Sequence, residues 1–306
     1  MNIFLKTQFL LLTLCSALLL SESAVNPLEE FENYDATRVL LREAEDHIAQ
    51  EKYAKAAKCY QKAANLQTSE EKKAEYFYLE AQNLMLGKKD TKAFRAYRKL
   101  LKEYIYFLPL EDIMEQLREL AGNFEQGNGT VFGLKDPDAA IDIYQLIIEH
   151  EPDGRQSLTD RLTLAAKQEK EFYYERAVKT YQEIIKLLPN DPDARFCLAR
   201  LLEKMAQERD ADGVLSRAAI REARRFLEVS SAKDFRRPEA EEILKSAHLR
   251  EGARMLERAQ FYLVKYHYKP EIARTYLLDL RRDFSDTPAG EQAKAILDEK
   301  FPEEAK

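Results

Sequence analysis

The sequence has few of the residues that build tight turns, disulfide bonds and metal sites. Its 306 residues include nine glycines, ten prolines, three cysteines, four histidines and no tryptophan. So few glycines and prolines argue against a β-rich domain with many turns, and so few cysteines argue against a disulfide framework. Charged residues make up 33% of the chain, which is typical of long solvated helices. The composition therefore predicts an all-α protein.

Motifs of catalytic and cofactor-binding sites are also missing. The four histidines, His47, His150, His248 and His267, have no partners at the spacing of a metal-ligand set. No glycine-rich phosphate loop follows a strand pattern, and no serine stands in a nucleophile elbow. We therefore expect no enzyme activity, no metal ion and no cofactor.

The charge balance of the chain is mildly acidic. There are 48 Lys and Arg residues against 54 Asp and Glu residues, which gives a formal net charge of −6. Such a balance provides no general attraction to the phosphates of nucleic acids or to anionic lipid headgroups. We therefore expect no nucleic-acid partner.

The first 23 residues differ in kind from the rest of the chain. One lysine, Lys6, precedes a short apolar run, and the small residues Ser21 and Ser23 follow that run. This order is typical of a secretory signal peptide, so we assign residues 1–23 to a signal peptide and expect an exported protein. Two alternatives stay open: lipid attachment to Cys15 after cleavage before it, as in bacterial lipoproteins, and retention of the run as a membrane anchor. The apolar run continues past Cys15, which favours cleavage near Ser23.

A packing motif recurs four times along the chain. In each copy a tyrosine follows an alanine by four residues, and apolar residues occupy the next helical turn. The four copies are Ala56 and Tyr60, Ala93 and Tyr97, Ala140 and Tyr144, and Ala177 and Tyr181. A small side chain allows a neighbouring helix to come close, and an aromatic ring one turn later fills the groove beside it. One helix pair of this kind cannot bury its face alone, so the motif predicts stacked helix pairs.

The motif resembles the tetratricopeptide repeat (TPR), whose small-residue and aromatic positions it reproduces. The first copy, in Leu40–Leu66, follows the TPR order most fully. The resemblance implies an α-solenoid of five to six TPR-like helix pairs with a capping helix at the C-terminus. It also implies a binding module whose grooves hold segments of partner proteins.

The spacing of the repeats is irregular. The first two motif alanines and the last two are each 37 residues apart, whereas the middle interval is 47 residues. We place the extra length in the Gly-rich segment 122–133 and predict that this segment is a loop. On this basis we assign residues 36–190 to N-terminal TPR-like repeats and residues 191–300 to C-terminal repeats with the capping helix.

The copies also differ at the position three residues before the motif alanine. The first and fourth copies have an aromatic residue there, Tyr53 and Tyr174, whereas the second copy has Asp90. The repeats are therefore not equivalent at this position.

The last repeat contains the most specific motifs of the sequence. Residues 259–262 read Ala-Gln-Phe-Tyr, residues 269–271 read Lys-Pro-Glu, and residues 281–288 read Arg-Arg-Asp-Phe-Ser-Asp-Thr-Pro. This segment resembles the closing repeat of the BamD/YfiO family of outer-membrane protein assembly lipoproteins. It departs from that pattern at Ser285, where the family has proline.

The resemblance to BamD implies a function, partners and a location. Members of the family face the periplasm from the outer membrane and help a BamA-type barrel to insert outer-membrane proteins. The partners implied for this chain are a BamA-type barrel and unfolded outer-membrane proteins, with membrane attachment only through a lipid on Cys15. By resemblance, the contact with the barrel partner would involve Arg274, Tyr276, Arg281 and Arg282.

A second class of function stays open from the same residues. Only the closing segment points to outer-membrane protein assembly, whereas the repeats also fit a general exported TPR scaffold of a cell-envelope or secretion complex. Recovery of a barrel protein with the chain distinguishes the two classes.

Overall fold

A computed structural model describes residues 27–128, 133–151 and 155–302 of the chain. Within these ranges the regular structure is entirely helical, and no residue lies in a β-strand. The prediction of an all-α fold of TPR-like helix pairs is confirmed. The predicted signal peptide, residues 1–23, and Cys15 lie outside the described residues.

The chain divides into two compact units, residues 1–143 and residues 144–306. The helices of the first unit are α1 (Pro27–Ala49), α2 (Tyr53–Asn65), α3 (Glu70–Leu86), α4 (Asp90–Glu103) and α5 (Leu110–Gln126), with a 3₁₀ turn at Ile105–Phe107. Helix α6 (Pro137–His150) begins in the first unit and ends in the second.

The second unit continues the same alternation of helices. It contains α7 (Arg155–Lys170), α8 (Tyr174–Leu187), α9 (Pro192–Glu208), α10 (Val214–Val229), α11 (Arg237–Leu263), a 3₁₀ turn at Lys265–His267, α12 (Pro270–Asp283) and α13 (Pro288–Lys300). Helices α1 and α2, α3 and α4, α7 and α8, α9 and α10, and α11 and α12 pack together as pairs. The predicted boundary between residues 190 and 191 falls between α8 and α9, inside this unit, and stays a prediction.

Four of the turns between consecutive helices share one backbone conformation. Glu51, Lys88, Gly127 and Phe172 each follow a helix and have a positive φ between 55° and 80°. In each turn this residue donates its N–H to the carbonyl three residues back, and the next residue donates to the carbonyl five residues back. This Schellman arrangement satisfies the last carbonyls of the helix and reverses the chain.

The shared turn locates the insertion of the third repeat. Ala56 lies five positions after Glu51, whereas Ala140 lies thirteen positions after Gly127. The expectation that segment 122–133 is a loop is therefore wrong for its first five residues, which belong to α5. The helix continues because Phe124 is buried in the core of the first unit, so the loop begins only after the turn at Gly127. Residues 129–132 of the predicted loop lie outside the described residues.

The residues of the packing motif lie where helices approach one another. All four motif alanines are fully buried, and Tyr60, Tyr97 and Tyr181 are at most 7% exposed. Tyr144 is half-buried, and the Lys167 ammonium lies 5.3 Å from its ring centroid. The alanines permit close packing of the helices, and the tyrosines occupy the space beside them.

Helix α13 packs on the last helix pair. Its Ala293 and Leu297 are fully buried and join a hydrophobic cluster with residues of α11 and α12. The helix begins at a cap in which the Gly290 N–H donates to Thr287 Oγ1 at 3.1 Å. A Cβ atom on Gly290 would lie 2.0 Å from the Phe284 carbonyl oxygen, so only glycine fits there. In the described part of the chain, no helix has the length and apolar character needed to cross a membrane.

Candidate partner-binding surfaces

The residues predicted to contact a barrel partner all lie on α12, but they do not share one face. Arg274 and Arg281 are seven residues apart and lie on the same side of the helix, where both are half-buried. Tyr276 lies on another side, and its ring is parallel to that of Tyr262 on α11 at 6.4 Å. Arg282 is exposed. The structure therefore brings Arg274 and Arg281 together and separates them from Tyr276.

The charge of Arg282 is neutralised by its own helix. Its guanidinium lies 2.9 Å from Asp279 Oδ1 and 2.7 Å from Asp283 Oδ2. The hydrogen bond to Asp283 raises the pKa of Arg282 and lowers the pKa of Asp283. A partner carboxylate would have to compete with two existing exposed ion pairs, each of which contributes little in water.

The turn between α11 and α12 exposes a group of large apolar side chains, here called the α11–α12 apolar surface. Its members are Phe261, Val264, Tyr266, Tyr268 and Ile272, and Tyr266 is 88% exposed. The ring of His267, in this turn, stacks on that of Phe261 with the centroids 4.2 Å apart. Exposed apolar groups of this kind mark interaction sites more often than chance. The sequence signal was present in the aromatic residues around His267, but exposure could not be read from it.

A groove in the first unit, here called the α3–α5 groove, has a volume of about 980 Å³. It lies between α3 and α5. Its lining includes Leu79, Met85 and Leu86 from α3 and Glu119 and Asn123 from α5. The groove thus combines apolar and polar side chains, as peptide-binding and ligand-binding clefts do.

In one part of this groove polar side chains form hydrogen bonds with one another. In another part, buried polar atoms have no hydrogen-bond partner within the described part of the chain. The Tyr97 hydroxyl donates to Gln116 Oε1 at 2.6 Å, and Gln116 Nε2 donates to the Tyr78 hydroxyl at 3.1 Å. By contrast, Asn83 Oδ1 and both carboxylate oxygens of Asp90 are buried and have no hydrogen-bond partner among the described residues. Buried polar atoms are nearly always paired, so these three acceptors need an explanation.

The opposite side of α3 borders a smaller pocket of about 570 Å³, here called the α2–α4 pocket. Its floor contains Phe77, Leu84 and the carboxyl group of Glu80. Its cationic side chains are Lys58, Lys89, Lys92, Arg95 and Lys99.

Glu80 is the only acidic residue that lines this pocket. It accepts a hydrogen bond from Gln61 Nε2 at 2.8 Å. Burial raises the pKa of Glu80 to about 7, although the nearby Lys99 charge acts in the opposite direction. Sequence analysis missed both this pocket and the α3–α5 groove, because each is formed by residues from separate helices.

The described residues contain no group of three or more His, Cys, Asp or Glu side chains placed to hold a metal ion. The two cysteines within them, Cys59 and Cys197, are free thiols. Burial raises the pKa of both thiols. Low thiolate content makes a cysteine a poor nucleophile, so these two residues act as packing side chains.

Comparison with known proteins gives structural matches only. No protein-family model matches the chain, and no curated protein matches it. Among solved structures, Pseudomonas aeruginosa PilF is 15% identical, with coverage of 86% of this chain and 99% of PilF and a TM-score of 0.29. PilW, a type IV pilus biogenesis factor, is 14% identical, with coverage of 84% and 97% and a TM-score of 0.29. The TPR2AB domain of yeast Sti1 in a pHSP90 complex is 15% identical, with coverage of 85% and 95% and a TM-score of 0.28.

Proposed function

We propose that this chain is an exported scaffold of TPR-like repeats that binds partner proteins during outer-membrane protein assembly. In this proposal it acts with a BamA-type barrel, in the periplasm or at the periplasmic face of the outer membrane. The resemblance of residues 250–300 to the closing BamD repeat supports the choice of partner. The α11–α12 apolar surface supports a protein contact at that same repeat.

The α11–α12 apolar surface is the observation on which the proposal depends most. Aromatic side chains that are already exposed and stiff lose little conformational freedom when a partner covers them. Tyr266 and Tyr268 are also able to hydrogen-bond at the rim of an interface while their rings are buried. The arginines of α12 lie next to this surface, but Arg282 is already paired with Asp279 and Asp283, so the apolar side chains carry most of the proposed contact.

The experiment is co-purification of the tagged, full-length chain from solubilised envelopes with its barrel partner. The test variants are Tyr266→Ala and the pair Arg281→Glu with Arg282→Glu. The control pair, Arg209→Glu with Lys294→Glu, changes the net charge equally at exposed sites elsewhere in the second unit. Recovery of the barrel with each variant is measured against the unmodified chain, and far-UV circular dichroism verifies the helical content.

We expect Tyr266→Ala and the Arg281 and Arg282 pair to lower barrel recovery severalfold, and the control pair to leave it unchanged. Tyr266 is 88% exposed, so its truncation removes contact area without disturbing the core. Failure of the unmodified chain to recover any barrel protein would instead favour a general scaffold of a cell-envelope or secretion complex. Fractionation of a Cys15→Ser variant tests the lipid anchor separately, since loss of the lipid would release the chain from the membrane.

A further inference from the structure

Asp90 occupies a position that two other repeats give to tyrosine. Tyr53, Asp90 and Tyr174 are the first residues of α2, α4 and α8, and each lies three residues before its motif alanine. Both tyrosines are half-buried, and the Lys204 ammonium on α9 lies 4.7 Å from the ring centroid of Tyr174. Asp90 is shorter and is only 1% exposed. The second repeat therefore replaces a packing ring with a buried carboxylate, and the α3–α5 groove lies beside it.

No hydrogen-bond donor among the described residues compensates for the burial of the Asp90 carboxylate. Neither of its oxygens accepts a hydrogen bond from a described residue, and the same holds for Asn83 Oδ1. An acidic residue in the first turn of a helix gains from the helix dipole, but that gain is small and supplies no donor. Burying a carboxylate without a hydrogen-bonded partner is costly. A residue that breaks local packing rules, and whose energetic cost no neighbouring residue offsets, is typical of a functional site.

The charges around the groove favour a cation. Burial, followed by repulsion from Glu119 on α5, raises the pKa of Asp90, and Lys88 in the preceding turn acts in the opposite direction. The other titratable groups lining the groove are the phenols of Tyr60 and Tyr97. A positively charged group placed between Asp90 and Glu119 would remove their repulsion and pair with both.

We propose that the α3–α5 groove binds a partner segment through an arginine or lysine side chain that pairs with Asp90, while apolar side chains of that segment contact Leu79 and Leu86. Two unpartnered carboxylate oxygens match the two parallel N–H groups of a guanidinium, so arginine is the preferred cation. Asn83 Oδ1 accepts a further hydrogen bond from the same segment. Leu86 is 61% exposed and is available for an apolar contact.

This site is formed by residues of the first unit only, so it does not depend on the contact proposed for α12. The ligand class follows from the buried acceptors and from the surrounding charge. The groove volume is within the usual range of about 300–1,000 Å³ for pockets that enclose a ligand.

The test is fluorescence anisotropy with the full mature chain and a capped, labelled peptide of alternating leucine and arginine. A peptide with citrulline in place of arginine keeps nearly the same size and removes the charge, with a carbonyl oxygen in place of one NH2 group. Asp90→Asn removes the carboxylate, and Asp112→Asn removes the same charge from an exposed position on α5 as a control. We expect Asp90→Asn to weaken arginine-peptide binding about tenfold or more, as the loss of one buried charge-assisted bond implies. The citrulline peptide should bind the unmodified chain with a similar loss.

A second variant, Asp90→Tyr, restores the residue that the first and fourth repeats have. It should abolish peptide binding and at the same time raise the urea midpoint of the first unit, because it removes an unpaired buried carboxylate and fills the space beside it. A gain in stability together with a loss of binding is not expected for a position that serves packing alone. Binding should also tighten as the pH rises through the titration of Asp90, whose pKa is raised by burial, since Asp90 must be ionised to pair with the peptide.

Four results would overturn the proposal. One is equal binding of the arginine and citrulline peptides, and another is a loss with Asp90→Asn no larger than that with Asp112→Asn. The third is the absence of arginine-peptide binding to the unmodified chain at millimolar concentration. An Asp90→Tyr variant that still binds the peptide would count against it in the same way. None of these results bears on barrel recovery, so the failure of this inference and of the proposed function can be told apart.

Discussion

Replacement of Glu80 by glutamine is expected to stabilise the first unit at pH 8 and to change little at pH 5. Glu80 lies on the floor of the α2–α4 pocket and is 8% exposed. Burial raises its pKa to about 7, while Lys99 from α4 opposes that change. The other charged groups that line the pocket are Lys58 from α2, Lys89 from the preceding turn, and Lys92 and Arg95 from α4. Glutamine retains an oxygen that can accept the hydrogen bond from Gln61.

The direction of this pH dependence follows from the difference between the Glu80 pKa in the folded chain and that in the unfolded chain. Glu80 binds its proton more tightly when folded, so its stabilising effect is complete below about pH 4 and is lost as the pH rises through about 7. The loss has an upper limit of about 3.5 kcal/mol, from about 1.4 kcal/mol for each pH unit between the two pKa values. Because water and the mobile lysines reach the edge of the pocket, we expect about 1–2 kcal/mol. Glutamine is neutral throughout this range and avoids the loss.

The assay is urea unfolding at pH 5, 6, 7 and 8, with hydrogen exchange of peptides from α2 to α4 as the local readout. The local readout matters because arrays of helix pairs can unfold in parts. Glu115→Gln, at an exposed site on α5, is the control and should show no pH-dependent difference. An equal effect of Glu80→Gln at pH 5 and pH 8, or a less stable variant at pH 8, would refute the reasoning.

Two further predictions concern single backbone positions. Glu51 is exposed and has a φ of 56°. Glycine adopts this conformation without a steric penalty, so Glu51→Gly should stabilise the first unit by about 1 kcal/mol in urea unfolding. A loss of stability would contradict the turn geometry. Gly290→Ala should destabilise the last helix pair and α13 by about 2 kcal/mol or more, because its Cβ would overlap the Phe284 carbonyl oxygen. The second change is measured by hydrogen exchange of α13, and unchanged exchange would show that the cap is not tightly packed.

The repeat organisation was predictable because it depends on spacing. An alanine and a tyrosine four residues apart lie on one face of a helix in any fold, so Ala56 and Tyr60 predict a packed helix pair without knowledge of the partner helix. Proline before the first turn likewise predicts the start of α12 at Pro270. The end of α5 was not predictable, because the burial of Phe124 depends on a helix that lies elsewhere in the chain.

The candidate sites were predictable only in part. The α12 residues were chosen by resemblance, and the fold shows that Arg274 and Tyr276 lie on different sides of the helix. Asp90 was visible in the sequence as a departure from tyrosine, but its burial and its unpaired oxygens were not. Such properties depend on which side chains meet across α3, α4 and α5.

The sequence by itself determined that this chain is an array of helix pairs, since helical periodicity and repeat spacing are local properties. Tertiary structure alone decided which departures from the repeat matter, because a pKa, a groove or an unpaired acceptor exists only when distant residues come together. Glu80 and Asp90 illustrate the difference: nothing in the sequence marks Glu80, only a departure from the repeat marks Asp90, and burial by neighbouring helices raises the pKa of each.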